Sequence, residues 1–182
     1  MTRWPSVINR TIQLTQGYIT LVNTNNYIAA IPLIRLQLDN TLRFFAIMQV
    51  NDPNDFFQYF MNGKPVYRYK SHTGDKLTDS YLAKKLEAVC PGVLRLYKDI
   101  CDYVHLSKQH VHASKYFDKG EVKLSVMDVD HPIDAFSLEA KVNFALNMLA
   151  VGKLILIVLD RWKRLKQSFP VPDRNSITSV EF

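Results

Sequence analysis

Between Tyr27 and Val50 the chain is apolar at nearly every turn of a helix. Ile28, Ile31, Leu33, Ile34, Leu36, Leu38, Leu42, Phe44, Phe45, Ile47 and Met48 leave no broad polar side. A helix that is hydrophobic all round belongs in the middle of its domain, with other elements packed about it. This stretch therefore predicts a central helix over about 27–50. Pro32 falls within its first two turns, where it either kinks the helix or lies near its start.

The surrounding segments predict the elements that cover it. A first helix is expected after Trp4-Pro5-Ser6, with Ser6 as N-cap, running to about Val22, where Asn23-Thr24-Asn25-Asn26 breaks it. Asn51-Asp52-Pro53 closes the central helix and caps a short one over 54–61, which Asn62-Gly63 ends. A polar, basic connection over 64–77 turns at Thr73-Gly74. Thr78 caps a helix to about Val89, and Pro91 starts another that runs through Ile100 and Val104, the two joined in a tight corner at Cys90-Pro91-Gly92. Beyond Ser107 the period changes to two. The alternation of Val122, Leu124 and Val126 after the turn Asp118-Lys119-Gly120 predicts a β-hairpin over about 110–127. The last and longest helix is expected over about 134–167. The fold class expected is mainly α: a bundle of five to six helices with one small β-hairpin insertion. It forms a single domain over 1–170 with a flexible tail over 171–182.

The bulk composition narrows the function classes. With 182 residues, 47% of them hydrophobic, the chain can bury a core without disulfides or a structural metal. Cys90 and Cys101 stand alone, with no zinc-type spacing. No signal-peptide pattern opens the chain, so a cytoplasmic location is expected. The apolar run Phe144–Leu159 is shorter than the roughly 20 residues a spanning helix needs and contains Asn147 and Lys153. It is expected to be a buried core helix, without membrane insertion. The formal net charge of +6 admits RNA or another anionic ligand as partner, but equally a solvated basic surface. No Gly-rich phosphate loop, HExxH or GxSxG motif occurs, and no cofactor is expected.

Three polar groupings stand out. Arg35, Asp39 and Arg43 are four apart, so they share one narrow strip of an otherwise apolar helix. They form an internal ion network, an anion site in which Asp39 orients two guanidiniums, or an exposed salt-bridge ladder. Three of the five histidines, His105, His110 and His112, fall within eight residues. Too few ligands accompany them for zinc, so no metal site is expected. His105 ends an apolar helix face and is followed by Ser107. At a helix C-terminus its charged form is favoured, which suits a general acid or base as well as a satisfied structural histidine. Finally Arg161, Lys163, Arg164 and Lys166 surround Trp162, a grouping that suits nucleic-acid phosphates and bases, although a basic helix end is also favoured by its own dipole.

The strings IPLIRLQLDNTLRFFA and DICDYVHLSKQHV resemble segments of uncharacterised bacterial helical proteins. These in turn are similar to the HEPN superfamily of abortive-infection and toxin proteins. The resemblance covers residues 27–110. It implies a small helical bundle, often a homodimer, and in the catalytic members a metal-independent ribonuclease with an arginine and a histidine separated by four to six intervening residues. Here Arg95 lies ten positions before His105, and the family spacing places Lys98 where the arginine would stand. Two expectations follow. One is an RNA-binding or ribonuclease-related protein of phage defence or stress, with His105 and Ser107 catalytic and Arg35, Asp39 and Arg43 holding phosphate. The other is a non-catalytic structural or protein-interaction module in which the same strip is a buried network.

Overall fold

A computed structural model describes residues 4–101, 115–118, 121–124 and 136–167. Among them are six α-helices: α1 (Trp4–Asn23), α2 (Tyr27–Phe45), α3 (Pro53–Met61), α4 (Asp79–Glu87), α5 (Val93–Cys101) and α6 (Leu138–Gln167). The mainly helical class is as expected.

Helix α2 is the axis of the bundle, as its composition requires, and packs against α1, α4, α5 and α6. Ile34, Leu38 and Leu42 are fully buried on it. They join Leu82 and Leu86 of α4, Ile100 of α5 and Val151 and Ile155 of α6 in one hydrophobic cluster. Its burial is not complete, however: Ile28 and Leu36 are more than a third exposed. Asn26 caps the helix, its side chain accepting from the Ala29 N–H. Pro32 lies inside it without ending it. The missing N–H removes a bond to the Ile28 carbonyl.

Most boundaries differ from the sequence expectation by a turn or less, each for a local reason. The first helix begins at Trp4, so Ser6 lies within it rather than capping it. The central helix stops at Phe45 instead of Val50, tightening into a 3-10 turn over Ala46–Gln49 before Val50 becomes extended. Asp52 then caps α3, accepting from Asn54 and Asp55 N–H at 2.7 and 3.1 Å. The helix expected to start at Pro91 starts two residues later, at Val93, because Gly92 at φ 98° lies in the left-handed region and cannot open a helix. The last helix begins at Leu138, where Ser137 Oγ accepts from the Ala140 N–H.

Two segments, Lys115–Asp118 and Glu121–Leu124, run antiparallel with Lys115 opposite Leu124. The rest of the expected hairpin range lies outside the described residues, and a hairpin insertion packed on the bundle is not established. The tail over 171–182 also lies outside them.

Glu87 supplies a cap that sequence reading missed. At the end of α4 its carboxylate accepts from the N–H groups of Gly92 and Leu94 at 3.0 and 2.7 Å, closing the corner into α5. These backbone donors hold its carboxyl below the usual glutamate range. A depressed folded value means that this stabilisation is present above the unfolded value and is lost as pH falls through the folded one. Glu87→Gln should therefore melt below the wild type at neutral pH. The gap should close in acid, as followed by circular dichroism across a pH series.

Candidate functional site

The strip on α2 is completed by a residue far away in sequence. Thr78 caps α4, its hydroxyl accepting from the Tyr81 N–H at 3.2 Å. That places Asp79 in the first helical turn, where a negative charge meets the favourable end of the helix dipole. From there it reaches across to α2. Arg35 Nη1 pairs with Asp39 at 2.5 Å and its Nη2 with Asp79 at 3.4 Å, while Arg43 Nη2 pairs with Asp79 at 2.7 Å. The Arg35 guanidinium also lies over the Tyr97 ring of α5, 4.5 Å from its centre. One network thus ties α2 to both α4 and α5.

Its electrostatics follow from that geometry. Arg35 is the most enclosed member, with 11% of its side chain exposed, whereas Asp39, Asp79 and Arg43 keep between 27% and 34%. Two guanidiniums face two carboxylates, and the formal charges cancel. Burial pushes the Asp39 carboxyl above its usual range, and Asp79 adds to this. Arg35, Arg43 and Arg10 oppose the shift without overcoming it. Arg43 Nη1 makes no hydrogen bond among the described residues. That nitrogen is buried, so its unused donors are closed to solvent.

The structure brings Arg35, Asp39 and Arg43 together as expected and adds Asp79 and Tyr97, which sequence reading did not find. Two arginines against one aspartate on an apolar helix already imply a second acid. The unused signal was an aspartate just after a helix-capping threonine. His105, Ser107, His110 and His112 lie outside the described residues. Lys98 is on α5, and Arg95 is a surface side chain paired with Asp99. No cluster of three or more metal-ligating side chains occurs among the described residues.

At the end of α6 the expected grouping of four cations around a tryptophan separates. Trp162 packs against the hydrophobic cluster, so it is not presented alongside Arg161, Lys163 and Arg164 as a platform for stacking bases. Those three are exposed, and Arg164 pairs with Asp160 at 2.7 Å. The side chain of Lys166 lies outside the described set.

The expectation that α6 is a core helix holds for one side only. Phe144, Met148, Val151, Ile155 and Val158 are buried, but Val142, Leu146, Leu149, Leu156 and Ile157 are between 49% and 64% exposed. Leu138–Leu165 is long and apolar enough to cross a membrane, and a third of its most apolar window is buried in the bundle.

Comparison with known proteins finds no matching family model, no matching curated protein and no matching solved structure.

Proposed function

We propose that this chain is a non-catalytic helical interaction module, in which Arg35, Asp39, Arg43 and Asp79 lock three helices together rather than hold an anion. The observation that carries this reading is the pairing of both guanidiniums with Asp79. An anion site keeps uncompensated positive charge for its ligand, whereas here the second carboxylate cancels it. Held by carboxylates and by the Tyr97 ring, Arg35 is fixed in place, which suits a structural clamp.

A second reading rests on the partly exposed side chain of Arg43 and on the exposed cations at the end of α6. In it the chain is a HEPN-like RNA-binding or ribonuclease-related protein of phage defence. Arg43 would then contact phosphate and His105, with Ser107, would move the proton. We also read 110–127 as a small hairpin insertion on the bundle, supported by the alternation of Val122, Leu124 and Val126 after the Asp118-Lys119-Gly120 turn.

Incubation of the purified protein with labelled single-stranded RNA separates the two readings. The module reading expects no cleavage. Cleavage that His105→Asn abolishes while RNA binding survives would overturn it.

A further inference from the structure

Helix α6 carries two apolar stripes on opposite sides. At about 100° per residue, Phe144, Val151, Ile155 and Val158 centre on one direction, while Val142, Leu146, Leu149 and Leu156 centre about 180° away. The first stripe is packed into the bundle and the second is open. Monomeric soluble proteins rarely leave so continuous an apolar surface uncovered.

The charges on the open stripe indicate what covers it. Lys153 sits at its centre and is exposed. On the same projection Lys163 and Arg164 continue the stripe beyond Ile157. Between Lys141 and Asp160 the chain contains no carboxylate, and Asp160 is already paired with Arg164. On the same projection Asp160 also lies on the open side, paired with Arg164, and exposed Glu139 lies at its edge, so the free positive charge of the stripe rests on Lys153 and Lys163.

We infer that this stripe docks on the surface of an anionic phospholipid bilayer, with α6 lying in the interface while its other stripe stays in the bundle. This rests on the reading of the chain as an interaction module and names the partner. A basic helix with one free apolar face partitions to that depth. Lys153 extends its charged end toward the headgroups while its methylenes stay on the apolar side. Anionic lipid supplies the charge complementary to Lys153 and Lys163. Crossing the bilayer would require the stripe holding Val151 and Ile155 to leave α2, uncovering the core.

A second copy is the rival occupant. A two-fold antiparallel pairing centred on the apolar run, near Leu149, sets Lys153 opposite Ala145 and Leu146 with no acid to meet it. A register centred on Leu146 sets Lys153 opposite Glu139 and covers most of the stripe, so pairing of two copies is the competing outcome that the vesicle test separates. The register that brings Lys153 to Asp160 leaves much of the stripe uncovered.

Co-sedimentation with vesicles tests the inference. Vesicles containing phosphatidylserine should sediment the full-length protein, and vesicles of phosphatidylcholine alone should not. Replacing Leu149 and Leu156 together by Gln should lower partitioning about tenfold or more. Replacing Lys153 and Lys163 by Gln should lower it roughly fivefold per charge. All four side chains are exposed, so melting temperatures should be unchanged in both variants, which separates lost binding from lost folding. Three results would overturn the inference: no sedimentation with either vesicle, equal sedimentation with both, or a dimer that Leu149→Lys dissociates without any vesicle binding. The two proposals fail separately. RNA turnover overturns the module reading even where vesicles carry the protein down, and absence of sedimentation overturns the membrane surface even where no RNA is cut.

Discussion

Arg35→Met should lower stability by about 3 kcal/mol, the low end of the range for breaking a buried ion pair by removing one partner. Arg35 is the only member of the network that touches both carboxylates and an aromatic ring. Without it, Asp39 faces Asp79 with only Arg43 between them, in a site whose burial already disfavours the Asp39 charge. The loss falls at the low end because both carboxylates keep more than a quarter of their side-chain surface exposed and can hydrate. For a domain of this size it corresponds to a fall in melting temperature of roughly 6–12 °C. The pH dependence has a definite sign. The folded Asp39 value is raised, so the native state binds that proton more tightly than the unfolded chain does. The contribution of this group favours the fold at low pH and is lost as pH rises through the raised value. The deficit of Arg35→Met should accordingly shrink in mild acid. Thermal melts at neutral and acid pH check both parts, and a variant as stable as the wild type at neutral pH would contradict them.

The same substituent two positions further on should act in the opposite direction. Gln37 is fully buried, and neither its Nε2 nor its Oε1 has a hydrogen-bond partner among the described residues. A buried amide left unpaired costs on the order of 1–3 kcal/mol. Methionine has a similar length and flexible torsions that fit the same space. Gln37→Met should therefore raise stability by about 1–2 kcal/mol, seen as a shift in urea midpoint without a change in slope. A loss of more than about 1 kcal/mol would show that the amide is satisfied in solution by a group or water that supports the fold. Opposite signs for Arg35→Met and Gln37→Met would locate the necessary polarity of α2 on one side of the helix.

What the sequence made legible follows from the range over which each signal acts. The all-round apolarity of α2 is a property of consecutive residues, and it correctly put that helix at the centre of a helical bundle. Caps are equally local: Asp52 and Thr78 were readable because a capping side chain reaches a backbone N–H two or three residues on. Glu87 was not, because it closes a corner five to seven residues ahead, across Pro91 and Gly92. Asp79 lies 44 positions from Arg35. No periodicity joins them, and only the unbalanced charge on the strip called for such a partner. The apolar run of α6 identified a helix, but composition could not tell a stripe that faces the bundle from one that faces away. The tryptophan among the cations misled for the same reason, since Trp162 lies toward the cluster while its neighbours in sequence point to solvent.

A double-mutant cycle between Arg43 and Asp79, read as unfolding free energy in urea, tests the structural assignment of the network most directly. Arg43→Met and Asp79→Asn should each destabilise the protein, because the 2.7 Å pair between them ties α2 to α4. The double variant should lose less than the sum of the two by about 1 kcal/mol or more, the coupling expected of residues in one ion-pair network. If the arginines instead formed an anion site, empty and self-repelling, Arg43→Met would leave stability unchanged or raise it. A neutral or stabilising Arg43→Met with no coupling to Asp79 would contradict the account.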